Sequence, residues 1–296
     1  MAVAVIFLVR RFLAFQVDFT ELFTARTMPS LILVTVAIMA TLLLGSICWK
    51  TWLSFFSNKK VPVWATYSVY AKSNLAKYLP SNVVHYAMRQ LYGTSLGIKQ
   101  KELLFSSVLE IFCMALTALI LSLALAKDVF IQFVSDSFQR AWLLPVLIIV
   151  VAALVVGAIL FLRKKNISAS EILSYLKQKA FRLSLIFVIC LIACNLTIYG
   201  TTLLILLSPS VDIGTYGLLI ISSGIVSWFI GFITPGVPGG IGVREAVMLL
   251  MLSPVIPDDI IIFAAVVQRL AFIFSDVVSW VIGKAIETKT IQDASS

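Results

Sequence analysis

The chain has 296 residues, of which 60% are hydrophobic and only 12% charged, with a mean hydropathy of +1.04 and a formal net charge of +9. No soluble fold of this length can hide that much apolar surface, and the apolar stretches are continuous rather than alternating, so a soluble enzyme and a β-barrel are both excluded. What remains is an all-α, polytopic transmembrane helical bundle, and with a single histidine it cannot build a histidine-based metal cluster.

In chain order, the first element is a short apolar segment over residues 2–16 that carries Arg10 and Arg11. It either spans with snorkelling arginines or lies in the interface. No basic residue precedes Ala2–Val9, so it does not read as a cleaved signal peptide. Runs of about 20 apolar residues, enough to cross roughly 30 Å of hydrocarbon, predict spans over 28–49, 102–126, 141–162, 182–207 and 260–284. Two further segments, 64–92 and 214–252, are apolar but interrupted, and are predicted to be re-entrant helical hairpins. Trp49, Trp52, Trp64 and Trp142 fall at span ends and read as interfacial belts. Cys48, Cys113, Cys190 and Cys194 lie in apolar helix and are expected to serve packing.

The charges set a topology. Lys50 to Lys101 contains eight basic residues and no acid, and Arg163 to Arg182 contains six against Glu171 alone. The positive-inside rule makes both loops cytoplasmic, so the basic excess marks orientation and anionic lipid rather than nucleic acid.

A degenerate motif occurs twice. Pro80 and Pro235 are each followed nine positions later by an arginine, Arg89 and Arg244. The same offset of 155 carries 28–49 onto 183–204 and 102–126 onto 257–281, while the charge bias makes the paired spans run in opposite directions. The reading is a single membrane domain over 1–296, with inverted-repeat halves of about 1–126 and 141–284.

Function is expected where the two hairpins meet. Between Pro235 and Gly242 stand four glycines and two prolines, which cannot form regular helix. A helix over about 242–252 would aim its N-terminal N–H groups at that turn, beside Arg244. Arg89, Arg244, Glu245, Lys77, Asn82, Gly239, Gly240 and Gly242 are the expected headgroup-binding residues; Lys72, Asn74 and His85 decorate the same hairpin. Glu110, Arg269 and Asp276 lie inside apolar spans, where charges are paired or face a cavity. Glu110 is expected to pair with Arg269, while Arg269 and Asp276, seven apart, share a helix face. The competing reading is a close-packed turn with Arg244 held by a carboxylate, and purely structural ion pairs.

Lys77-Tyr-Leu-Pro80 through Arg89, Glu110, Pro238-Gly-Gly-Ile-Gly-Val-Arg-Glu-Ala246 and Gln268-Arg269-Leu270 together resemble the lysylphosphatidylglycerol synthase/flippase transmembrane-region family of bacterial and archaeal membrane proteins, over nearly the whole chain. The resemblance implies a multi-pass protein of the cytoplasmic membrane that moves or handles polar lipids or lipid-linked glycans. Larger relatives carry a cytosolic aminoacyltransferase domain, for which these 296 residues leave no room outside the spans. Two departures from the family pattern are a shorter first helix and Ser81 after Pro80, where relatives often have glycine.

The leading expectation is a flippase-like translocase for a polar or anionic lipid or lipid-linked glycan, its headgroup held by the hairpin arginines. The alternative is a non-catalytic accessory subunit of a glycosyltransferase or lipid-modifying complex. No enzymatic activity is expected: there is no convincing nucleophile–base pair, no cluster of acids for a metal and no P-loop, and no cofactor is called for.

Overall fold

The structure, a computed structural model, describes residues 28–79, 84–125, 174–175, 177–234 and 237–295. Its main helices are α1 (Met28–Ser57), α2 (Val63–Asn74), α3 (Val84–Gly93), α4 (Gln100–Leu125), α5 (Lys179–Leu207), α6 (Ile213–Ile233), α7 (Val243–Leu252) and α8 (Asp258–Ser295). Short 3-10 turns occupy Leu75–Tyr78, Thr94–Leu96 and Pro238–Gly240, and no strand occurs among the described residues. The expected elements at 2–16 and 141–162 fall outside the described residues.

Helices α1, α4, α5, α6 and the Asp258–Glu287 part of α8 are long and apolar enough to cross a membrane. The bundle turns large apolar side chains outward, among them Ile32, Phe112, Ile186 and Phe274. Such a surface suits lipid, since water would leave it uncompensated. Helices α6 and α8 are more than half buried, whereas α1, α4 and α5 are buried over a third or less. The central pair is therefore α6 and α8, with the other long helices facing the bilayer.

Local chemistry sets the breaks. Asp212 caps α6 by accepting the Thr215 hydroxyl at 2.6 Å and the Gly214 N–H at 3.1 Å. Those two bonds hold its carboxyl below the ordinary aspartate value. Helix α6 stops at Ile233 because Thr234 precedes a proline and is extended, with ψ 116°. Gly239, Gly240 and Gly242 then take φ of 58°, 72° and 86°, left-handed values that side chains other than glycine's adopt only with strain. The Glu245 carboxylate turns back to accept the Gly242 N–H at 2.6 Å, closing the N-terminus of α7.

Helix α7 packs back along α6, and α3 packs against α2. The two breaks meet, because Leu75–Tyr78 touches Pro238–Gly240, with Tyr78 and Ile241 in one apolar cluster. The packing pattern repeats between the halves. The α1–α2, α2–α3, α3–α4 and α1–α4 contacts have counterparts in α5–α6, α6–α7, α7–α8 and α5–α8. Across the halves, α2–α8 matches α4–α6, α1–α8 matches α4–α5, and α1 packs on α5. Gly45 and Gly200, 155 apart, occupy equivalent crossings: a Cβ on Gly45 would meet the Tyr70 hydroxyl of α2, and one on Gly200 would meet the Ile221 carbonyl of α6.

Four expectations change. Helix α1 runs to Ser57 rather than residue 49, so Trp49 and Trp52 lie within it and are fully buried. They are core residues rather than an interfacial belt, with Trp52 packed on Phe181 and Trp49 on Tyr70; Trp64 is exposed as expected. Cys48 and Cys113 serve packing, but Cys190 and Cys194 point outward from α5. The first limb of the second interrupted segment, α6, has 21 residues and spans about 31 Å, long enough to cross the bilayer by itself. The fourth change, the pairing of the buried charges, belongs to the site.

Candidate functional site

A cavity of about 130 Å³ opens where the two breaks meet. Helix α2 and its 3-10 turn bring Lys77 to its wall, α3 brings His85 and Arg89, α7 brings Arg244 and α8 brings Arg269. Tyr70, Tyr86, Trp228, Phe232 and Phe272 supply aromatic surface between them. Four cations thus face one small space, and among the described residues that line it none is an acid.

Three of the cations have a carboxylate behind them. Arg89 Nη1 donates to Glu110 Oε2 at 2.6 Å, and the Tyr70 hydroxyl donates to Oε1 of the same group at 2.9 Å. Arg269 donates to Glu245 Oε1 through Nη2 at 2.6 Å and Nε at 3.2 Å, while its Nη1 donates to the Gly239 carbonyl at 2.8 Å. Lys77 Nζ lies 2.6 Å from Asp276 Oδ2. Asp276 also accepts the Tyr78 hydroxyl at 2.5 Å and the Asn74 amide at 2.7 Å. These bonds satisfy charges whose burial would otherwise be costly.

The expected Glu110–Arg269 pair is therefore wrong. Glu110 belongs to Arg89 and Arg269 to Glu245. Helical spacing assigns a residue to a face of its own helix but does not say which neighbour that face meets. Asp276 does share a face with Arg269 toward the breaks, yet it serves Lys77.

Arg244 differs from the other three. Among the described residues no carboxylate lies within ion-pair distance of it. Its guanidinium sits 5.8 Å from the Tyr199 ring and 6.0 Å from the Trp228 ring, with a long hydrogen bond of 3.4 Å to the Tyr199 hydroxyl. Among the described residues its Nε is buried without a hydrogen-bond partner, as are Arg89 Nε and His85 Nδ1. The stem of Arg244 lies in a slot between two glycines. A Cβ on Gly231 would come within 2.7 Å of its Cγ, and one on Gly240 within 2.8 Å of its Nε.

Of the residues singled out from sequence, Arg89, Arg244, Lys77 and Gly239 line the cavity together. Glu245 and Gly240 act one step away, by pairing with Arg269 and by making room for Arg244. Gly242 forms the N-cap of α7. Asn82 lies outside the described residues, as do Pro80 and Pro235. Sequence reading missed Gly231, Tyr70, Tyr199, Trp228 and Phe272. A glycine inside an otherwise apolar helix was the available signal for Gly231; aromatic residues in membrane helices carry none.

The arrangement can neutralise and hydrogen-bond an anion with guanidinium groups in a site of low dielectric, where such bonds are strongest. Among the described residues no group of three histidine, cysteine or acidic side chains is placed to hold a metal ion.

The model of the family described as the lysylphosphatidylglycerol synthase TM region matches residues 1–278. No curated protein matches the chain, and no solved structure matches it.

Proposed function

The chain belongs to the lysylphosphatidylglycerol synthase transmembrane-region family, and from that premise we propose that it is a lipid translocase of the bacterial or archaeal cytoplasmic membrane. The family makes its role a membrane, lipid-related one. In this reading the cationic cavity holds the anionic headgroup of a polar lipid while the acyl chains stay in the bilayer, and no covalent bond is made or broken.

Arg244 is the observation that carries the reading. A guanidinium inside a membrane bundle is costly unless paired. Here the three neighbouring cations have acidic partners and Arg244 has none among the described residues. An anionic headgroup would complete it. Both halves contribute to the same cavity, Lys77 and Arg89 from one, Arg244 and Arg269 from the other. The repeated packing pattern supports an inverted repeat whose two breaks meet, and such pairs commonly build a site that opens to either face.

The test is lipid movement in vesicles. The purified chain, reconstituted with a fluorescent anionic phospholipid, should accelerate its exchange between leaflets. Arg244→Ala should slow that exchange at least tenfold, because the phosphate loses its uncommitted cation, while the protein stays folded. Wild-type exchange in a well-folded Arg244→Ala protein would reject a headgroup site and favour the accessory-subunit alternative.

A further inference from the structure

We propose, resting on the lipid-handling reading above, that the acyl chains of the lipid reach the cavity through the seam between α4 and α6. Met114, Trp228 and Phe232 form an acyl-chain subsite there, and the equivalent seam between α2 and α8 stays closed.

The two seams match in the packing pattern and differ in chemistry. Polar side chains fasten α2 to α8. Lys72 Nζ lies 2.5 Å from Glu287 Oε1, Lys77 Nζ lies 2.6 Å from Asp276 Oδ2, and the Asn74 amide donates to Asp276 at 2.7 Å. The Ser68 hydroxyl donates to the Gly283 carbonyl at 2.6 Å, at a crossing so close that a Cβ on Gly283 would stand 3.2 Å from the Ala71 Cβ. The offset of 155 puts Phe232 in the place of Lys77, Phe229 in that of Asn74, Leu121 in that of Asp276 and Met114 in that of Arg269. Each exchange replaces a charge or an amide with an apolar side chain. Ser223 and Ser227, in the places of Ser68 and Lys72, turn their hydroxyls back to the Ile220 and Gly224 carbonyls of their own helix.

The cost of opening follows. Parting α2 from α8 strands two ion pairs inside an apolar bundle. Parting α4 from α6 exchanges side-chain contacts for contacts with acyl chains, which are equally apolar. Met114, Leu121, Trp228 and Phe229 pack in one apolar cluster, and α4 turns Phe112 and Leu116 outward. The hydrocarbon of the bilayer therefore lies directly outside this seam.

The cavity itself is two-sided. Lys77 and Arg269 stand on its α2–α8 side, and Met114, Trp228 and Phe232 on its α4–α6 side. Phe232 stacks on Trp228 with ring centroids 5.0 Å apart and planes 9° from parallel. Trp228 also meets the Arg244 guanidinium at 6.0 Å, so the apolar wall begins beside the cations. A free anion needs only the cations. An apolar wall next to them fits a ligand whose charged group continues into hydrocarbon. At about 130 Å³ the cavity has room for a headgroup and not for its chains, which must leave through a wall.

The experiment reconstitutes the purified full chain in vesicles with phosphatidylglycerol that carries a photoreactive group on one acyl chain. Crosslinks mapped by mass spectrometry should mark Met114, Trp228 or Phe232 several-fold more than Ala71 or Gly283 of the α2–α8 seam. Those marks should fall several-fold in Arg244→Ala, which loses a headgroup cation, while marks on the outward-facing Phe112 persist. Phe232→Lys/Leu121→Asp copies the Lys77–Asp276 pair onto the α4–α6 seam, and should slow lipid movement at least tenfold without lowering Tm. If that double variant does not fold, the crosslinks on the unaltered chain decide. Marks at Ala71 or Gly283 exceeding those on the α4–α6 wall would overturn the choice of seam and leave lipid translocation intact. Marks confined to outward-facing side chains in a chain that moves lipid would overturn the subsite, as would wild-type movement in a folded double variant. Absence of lipid movement by the unaltered chain would overturn the translocase reading and the seam with it.

Discussion

Arg89 is a cation held almost out of reach of solvent, 1% exposed, stacked on Tyr70 and bonded to Glu110. Removing one member of such a pair strands the other, at a cost of about 3–5 kcal/mol. Glu110→Ala should therefore lower the Tm in detergent more than the double change Glu110→Ala/Arg89→Ala; strictly additive single losses would contradict the pair. The charged residues themselves were legible in the sequence, since Lys77, Arg89, Glu110, Arg244, Glu245, Arg269 and Asp276 interrupt apolar stretches or sit in the broken ones. Their partners were not. Glu110 and Arg269 stand at similar places in their helices, but α4 and α8 turn them toward different neighbours. Only the packed bundle could separate three committed cations from Arg244, which lacks an acid among the described residues.

At the scale of elements, the glycine-rich break does more than turn the chain. Gly240 and Gly231 form the slot that holds the stem of Arg244, so the break and the α6 helix interior act together. Gly231→Ala keeps helical geometry and adds one methyl group 2.7 Å from Arg244 Cγ. It should displace the guanidinium and cut lipid movement several-fold, with a smaller effect on Tm, measured on the same reconstituted protein. Unchanged movement would show that the slot does not position Arg244. Gly240→Ala meets Arg244 Nε and also a φ of 72°, so it should lose stability as well. The helices were largely legible because continuous apolar runs leave few choices: the predicted 182–207 corresponds to Lys179–Leu207 and 260–284 falls within α8. The end of α1 was not. Lys50 reads as a span end, but the half-buried Lys50 is followed by Trp52, Phe55 and Phe56, whose aromatic packing carries the helix to Ser57.

For the whole molecule, one offset of 155 relates the interrupted segments, the Pro-to-Arg spacing, the Gly45 and Gly200 crossings and the order of helix contacts. The proposed inversion about an axis in the membrane plane would join this offset to the opposite charge bias of the two parts of the chain. Cysteines placed at Asn58 and Asn166 in a chain cleared of its native cysteines should react from the cytoplasmic side only, and one at Ser135 from the outer side only. Labelling of Asn58 and Asn166 from opposite sides would exclude the inversion. The expectation of two related halves rests on hydropathy and charge that repeat along the chain. The meeting of Leu75–Tyr78 with Pro238–Gly240 was foreseeable only through that symmetry, because no local signal in either segment names the other.

The most direct measurement concerns the cavity shared by the halves. A phosphatidylglycerol analogue with a photoreactive headgroup, crosslinked to the purified full chain and mapped by mass spectrometry, should mark Tyr86 of the first half and Trp228 or Phe272 of the second, all of which line the cavity. The marks should fade in Arg244→Ala. Crosslinks confined to the outward-facing side chains, such as Phe112 and Ile186, with none in the cavity, would contradict a headgroup site between the two breaks.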